Sequence, residues 1–283
     1  MILISGITGR VGKSAAHHLL ASGYQIRGFT RDLSKTEDLK AAGADIHVIE
    51  PERPDFSMGL NEIQTIILVT GNNPGQAAHE IAIAKAAVEK GTERIIKISS
   101  MEAGPNATAP FPKAHYEIEQ AISELPISLQ SLRPNFFMQN MLLFAHSIVN
   151  MNCFALPLGS AKTAIVDATD VGVAAAEIAM RDDLQKNEYD LCGSQLLSFT
   201  EVAQQLSASL GREIRYQPIS IKEFQEGLEK AIPSTWHVNA VVSLFSEIAG
   251  GALEDMSSDL HNILGREPAS IADFAERHRA SLE

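Results

Sequence analysis

Residues 6–12 read Gly6-Ile7-Thr8-Gly9-Arg10-Val11-Gly12, between a short apolar run at 2–5 and an amphipathic helical pattern at 11–21. Glycines at this spacing carry weight only between a strand and a helix, which is where they stand. The first permits a tight turn, the second lets the backbone approach a pyrophosphate, and the third lets the helix pack closely on the strand. The N–H groups and dipole of the helix start both favour a negative charge there. The heptad predicts a dinucleotide cradle lined by Gly6, Thr8, Gly9, Arg10, Val11 and Gly12.

Strand and helix patterns alternate outward from that cradle. Gly23 stops the first helix, and 24–30 reads as a second strand. A helix at 34–41 with Ser34 as its N-cap, a strand at 45–48 and a turn-rich stretch with a short helix at 51–62 follow. A fully apolar strand at 65–69, a helix at 76–89, a strand at 94–99, a helix at 112–123 and a strand at 127–132 complete the first half. This order predicts an α/β fold with a doubly wound parallel Rossmann sheet.

The second half is less regular. It offers a helix at 136–149, strand-like pieces at 164–167 and 189–191 around a helix at 171–180, and a helix at 199–210 opened by a Ser198/Glu201 capping box. A strand at 214–218 and three further helices end the chain. The expectation is a Rossmann core over 1–150 and a small α/β C-terminal substrate lobe over 151–283, interleaved with the core in the same structural unit. The stretch 233–255, with Trp236 and Gly250-Gly251, is a candidate lid whose glycines would serve as a hinge or a helix end.

Composition narrows the function. Lys plus Arg number 23 against 35 Asp plus Glu, a net charge of -12 that repels nucleic acid. Cys153 and Cys192 are the two cysteines, too few for a disulfide framework, and both read as small buried hydrophobes. No apolar run approaches a bilayer span and no basic leader precedes the first strand, so the expected location is the cytoplasm, with no membrane partner. The histidines show no metal-ligand spacing.

The end of the second strand selects the cofactor. A carboxylate there holds the adenosine ribose of NAD, and an arginine accommodates the 2′-phosphate of NADP. The sequence reads Phe29-Thr30-Arg31-Asp32. Strand length favours Arg31 and hence NADP(H), whereas a shift of one residue would put Asp32 in the site.

The stretches GITGRVG, FTRD, RIIKISS at 94–100, His115 with Glu119, LRPNFFMQN at 132–140, VDATDVGVAA and the ending LGREPASIADFAERH together resemble the NmrA-like proteins. These are atypical short-chain dehydrogenase/reductase relatives that include quinone reductases, triphenylmethane-dye reductases, isoflavone reductase-like enzymes and the regulator NmrA. The resemblance covers essentially the whole chain. It implies that Thr70-Gly71 and Ser99-Ser100 border the nicotinamide and ribose, and that Pro134, Asn135 and Phe136 line the far side of that pocket. It also implies that His115 stands where isoflavone reductase-like members carry a catalytic lysine and quinone-reductase-like members a histidine.

Short-chain dehydrogenases commonly use a tyrosine with a lysine four residues later as their acid/base pair. Here Tyr24 is followed by Gly28, Tyr116 by Gln120, Tyr189 by Gly193 and Tyr216 by Ser220, which disfavours a nucleotide-sugar epimerase. His115 could bond a quinone carbonyl and, when protonated, donate as hydride arrives. Its alternative reading is an exposed histidine at a helix start. Phe137 and Asn140 are candidate pocket residues, although the apolar run around them, at helical spacing, reads first as core, and stacking would suit a flat aromatic ligand. The leading expectation is an NADPH-dependent reductase of a quinone-like or other conjugated small molecule. The competing one is a non-catalytic NADP(H) sensor acting through a regulatory protein partner.

Overall fold

The computed structural model describes residues 1–49, 56 and 58–283. Half of the turn-rich stretch expected at 51–62 lies outside the described residues; within it, Met58–Leu60 forms a single 3₁₀ turn.

The central sheet has seven strands: β1 (Ile2–Ile4), β2 (Ile26–Thr30), β3 (Asp45–Val48), β4 (Thr65–Leu68), β5 (Arg94–Ile98), β6 (Ser128–Pro134) and β9 (Glu188–Leu191). Their order is β3-β2-β1-β4-β5-β6-β9, and the paired registers from β3 to β6 are all parallel. β1 and β4 are neighbours although the chain runs outward from each in opposite directions. The carboxyl ends of those two strands form the switch point where open α/β sheets bind ligands. The helices of this half are α1 (Arg10–Ala21), α2 (Glu37–Ala41), α3 (Gln76–Glu89), α4 (Pro110–Ser123) and α6 (Ala168–Met180). This is the doubly wound Rossmann-type sheet the alternation predicts.

The chain divides into two compact units, each built from three segments. The first comprises Met1–Ala103, Ala114–Arg133 and Ala168–Tyr189. In it Leu3, Ile66, Leu68 and Ile95 of the sheet are buried with Ile83, Ala84 and Ala87 of α3 and Ile118 and Ile122 of α4. Strand alternation turns Ile4, Ile67 and Ile96, equally buried, to the other face. On that side α6 packs on α1 so closely that a Cβ on Gly172 would lie 2.5 Å from the Val11 carbonyl oxygen.

The second unit comprises Gly104–Lys113, Pro134–Asp167 and Asp190–Glu283. Its strands are short: β7 (Cys153–Leu156) runs parallel to β11 (Arg215–Pro218), and β8 (Lys162–Thr163) antiparallel to β10 (Leu197–Ser198). Its helices are α5 (Ala145–Met151), α7 (Phe199–Leu210), α8 (Ile221–Ala231), α9 (Thr235–Ala249), α10 (Asp259–Leu264), α11 (Ile271–Arg277) and α12 (Arg279–Leu282). Phe154 and Phe199 are fully buried at the centre, with Tyr216 ringing both. The Ser198/Glu201 capping box forms, with Ser198 N–H donating to Glu201 Oε2 at 2.8 Å and Glu201 N–H to Ser198 Oγ at 3.3 Å. Glu247 of α9 reaches the segment before α4, where its Oε1 accepts from the N–H of Thr108 at 3.1 Å, the N–H of Ala109 at 2.7 Å and the Thr108 hydroxyl.

Several local expectations change. The helix read at 136–149 does not form as such: Val166 N–H donates to the Phe136 carbonyl and Met138 N–H to the Val166 carbonyl, both at 2.8 Å. Those bonds hold 136–137 extended, followed by a 3₁₀ stretch at Met138–Phe144 and then α5. The strand read at 164–167 reduces to this bridge between Phe137 and Val166. A short apolar run cannot by its own pattern choose helix over strand. Five helices, not three, follow β11. Gly250-Gly251 end α9, Gly251 with φ +94°. Cys192 is buried, its thiol pushed up to about 11 by burial, whereas Cys153 is half-buried. Among the described residues no helix is long and apolar enough to cross a membrane.

Candidate functional site

The glycine turn follows β1 directly. A Cβ on Gly6 would lie 2.4 Å from the Val69 carbonyl oxygen, and one on Gly12 would lie 2.2 Å from that of Gly6. Backbone, which cannot move aside cheaply, thus fixes both as glycine. Gly9 differs: it is exposed, and its Cβ would meet only the Gly6 oxygen at 3.3 Å. Packing within the fold therefore asks less of Gly9 than of its neighbours, and the strongest reason left for it is a ligand lying close to the backbone. Gly9 is also the N-cap of α1, where no side chain caps the helix and no acidic residue stands in the first turn. Uncapped donors at a helix start, beside a cradle that any Cβ would narrow, suit a diphosphate. Gly6 and Thr8 are half-buried, Arg10 is exposed and Val11 is buried under the turn.

At the end of β2 the two candidate residues part company. Asp32 is spent locally: its Oδ1 accepts from Ser34 N–H at 3.0 Å and from the Ser34 hydroxyl at 2.6 Å. Those bonds hold its carboxyl below the usual range. Asp32, not Ser34, is the cap here, and it caps a 3₁₀ turn at Leu33–Thr36 that precedes α2. The Thr30 hydroxyl is likewise engaged with the Asp32 backbone. Arg31 is exposed and makes no hydrogen bond or ion pair among the described residues, though its charge, after burial, lowers the pKa of His79 on α3. The arrangement leaves the Arg31 guanidinium available to a ligand and engages one oxygen of Asp32, its Oδ1, while Oδ2 lies 3.7 Å from the Lys35 ammonium.

Beyond β4 and β5, Thr70 and Gly71 follow one strand and Ser99 and Ser100 the next. A Cβ on Gly71 would meet nothing within 4 Å. The hydroxyls of Ser99 and Ser100 are buried without a partner among the described residues. Orphaned donors of this kind are costly unless a ligand or water completes them. Lys97, fully buried in β5, pairs with the equally buried Glu80 of α3 at 2.9 Å. Its Nζ also lies 3.0 Å from His115 Nδ1 and donates to the Ile98 carbonyl. Glu80 Oε1 in turn accepts from Thr70 Oγ1 at 2.5 Å and from Gln76 Nε2 at 3.2 Å. The network joins two residues the sequence reading nominated, Thr70 and His115, through two it missed. The signal was there: a lysine inside the apolar strand RIIKIS has no water to face.

His115 is buried in the second turn of α4, so its reading as an exposed helix-start histidine does not hold. Burial first, and the Lys97 ammonium second, push its pKa well below the usual 6.5. This couples to stability. Below pH ~6.5 an unfolded imidazole takes up a proton that the folded one refuses. The folded state is therefore at full strength above about pH 6.5. It weakens as pH falls toward the folded pKa, by at most about 1.4 kcal/mol per pH unit. Urea unfolding at pH 7.5 and 5.5 should show a smaller acid loss for His115→Asn, which keeps an acceptor for Lys97 but binds no proton. Equal losses would remove His115 from the account.

Pro134, Asn135, Phe136, Phe137 and Asn140 belong to the second unit. Asn135 donates to the Leu253 carbonyl at 3.1 Å and accepts from Phe136 N–H at 2.7 Å. Phe136 is buried edge-on against Phe199 and Phe245, at 5.5 and 5.9 Å, while Phe137 and Asn140 are half-buried.

Comparison with known proteins bears on the family and the fold. The model of the NmrA-like family matches residues 1–275. The NAD(P)H azoreductase of Xenophilus azovorans is 26% identical over 283 residues, covering 100% of this chain and 99% of its own length. Quinone oxidoreductase 2 of Escherichia coli (strain K12) is 23% identical over 279 residues, 96% of each chain. The Citrobacter sp. triphenylmethane reductase complexed with NADP(H) superposes with a TM-score of 0.84 at 20% identity, covering 98% of this chain and 99% of that one. The E. coli quinone oxidoreductase complexed with NADPH gives 0.87 at 22% identity, with the same coverage. At these identities the structural likeness establishes the fold.

Proposed function

The chain belongs to the NmrA-like family, and from that premise we propose that it is an NADPH-dependent reductase of a quinone-like or other conjugated small molecule. The observation that carries the cofactor choice is the division of labour after β2, where Asp32 is held by Ser34 and Arg31 is left available. A 2′-phosphate needs a cation there, and a bare ribose needs a carboxylate, of which Asp32 has one oxygen already bonded to Ser34. The names of the relatives, an azoreductase and a quinone oxidoreductase, support a conjugated electrophile as substrate.

In this reading the bound cofactor supplies the hydride from C4 of its nicotinamide. The turn Gly6–Gly12 and the start of α1 hold the diphosphate, and Arg31 holds the 2′-phosphate. Thr70, Gly71, Ser99 and Ser100 border the nicotinamide ribose, with the two serine hydroxyls available as donors. His115 supplies an N–H toward the acceptor.

Fluorescence titration tests the cofactor half. The protein should bind NADPH more tightly than NADH, and Arg31→Ala should weaken NADPH binding by roughly 10–150-fold, the worth of a charge-assisted hydrogen bond, while leaving NADH unchanged. Asp32→Ala should leave the ratio alone. NADPH consumption with a panel of quinones and azo dyes tests the other half. Tight binding without turnover would replace the reductase by a sensor.

A further inference from the structure

Lys97 is engaged on three sides. An ammonium has three donors and no acceptor. Its Nζ is hydrogen-bonded to the Ile98 carbonyl and to His115 Nδ1 at 3.0 Å, and it forms an ion pair with Glu80 Oε2 at 2.9 Å. Lys97 has no solvent exposure. Toward His115 it can only donate, which makes Nδ1 the acceptor and leaves the single imidazole proton on Nε2. Glu80 is itself held at Oε1 by Thr70 Oγ1 and Gln76 Nε2, so the pair cannot swing. Lys97 of β5, with Glu80 of α3 behind it, supplies the charge that acts on the imidazole. A buried charge pair is tolerated when its members are paired and hydrogen-bonded; here Glu80 Oε1 and Lys97 Nζ are both hydrogen-bonded, and Glu80 Oε2 meets Lys97 as an ion pair.

We propose that Lys97 is a positioning residue that, braced by Glu80, Thr70 and Gln76, holds His115 as its neutral Nε2–H tautomer, a fixed hydrogen-bond donor and not a source of protons. On the ligand side this rests on the reductase reading. The partner of Nε2–H is then a neutral acceptor atom, a carbonyl oxygen or an azo or imine nitrogen, that gains electron density as hydride arrives. Reduction of a quinone to a hydroquinone takes one hydride from NADPH, leaving NADP⁺, and one proton. Because His115 keeps its own, that proton comes from water. Preorganised donors aimed at developing charge stabilise a transition state without being consumed.

Nitrogen-15 NMR of the imidazoles in the full-length protein, without cofactor or acceptor, is the test, with His115→Asn identifying the resonance. The wild type should show an unprotonated Nδ1 and a protonated Nε2, unchanged from pH 8 to 5.5. In Lys97→Met combined with Glu80→Gln, which removes both buried charges together, the resonance should populate both tautomers and titrate. A wild-type His115 that carries its proton on Nδ1, or titrates between pH 6 and 7, would overturn the assignment, as would a double variant identical to wild type. These readouts stand whether or not the protein turns over NADPH, so a failed reductase reading is told apart from a failed tautomer. Where turnover is found, kcat should be level over that pH range and acquire a slope in the double variant.

Discussion

Lys97→Met is expected to cost the fold about 3–5 kcal/mol, because it strands the Glu80 carboxylate in a site with no water. In a chain of this size that lowers Tm by on the order of 10 °C. Methionine matches the lysine stem in length and is apolar, so packing loss contributes little. Glu80→Gln alone should be costly for the converse reason, leaving the ammonium with a weaker acceptor. The double variant should recover most of the loss, since replacing a buried pair by uncharged groups is often close to neutral while breaking one is not. A thermodynamic cycle from urea melts of the four proteins measures this directly, and residues in contact should be strongly non-additive. If the double variant is as unstable as the sum of its parts, the two side chains do not act as a pair.

The second large effect separates two glycines that the sequence treats alike. Gly12→Ala should destabilise the protein by about 1–3 kcal/mol or more through overpacking, and should abolish dinucleotide binding, because the new methyl would sit 2.2 Å from a backbone oxygen. Either β1 or α1 must move, and the proposed diphosphate site rests on both. Gly9→Ala should melt close to wild type, its nearest neighbour being 3.3 Å away. Its binding should nonetheless fall at least tenfold as the methyl takes up ligand space. Thermal melts and NADPH titrations of both variants check the contrast. A Gly9→Ala protein that binds like wild type would remove the diphosphate from that turn.

What could be read in advance follows from which interactions are local. The glycine turn was legible because its requirement is written in the backbone of seven consecutive residues. The alternation of strand and helix was legible because β1 and β4 are apolar runs buried along their length and α1 repeats its buried residues at helical spacing. The tie between Glu80 and Lys97 was not, because charged residues in a sequence read as solvated until the packing of α3 on the sheet brings them side by side. The capping role of Asp32 was hidden for a related reason: its side chain serves Ser34 two residues on, a choice of rotamer that composition does not reveal. Residues 136–149 failed on their own pattern, since bonds to Val166 decided the backbone from outside the segment.

The three-segment construction of each unit bears on how such chains can be recombined. α6 and part of β9, late in the sequence, complete the same core as β1, while 104–113, lying early, belongs with the last five helices. Any single crossover between two relatives therefore brings mismatched partners into one or both cores: joined after residue 150, for example, α1 of one parent would have to accept α6 of the other, across a contact where Gly172 leaves no room for a methyl group. Exchange of a whole unit requires its three segments to travel together, and lineages of this architecture are expected to diverge by point substitution and loop change more readily than by shuffling halves.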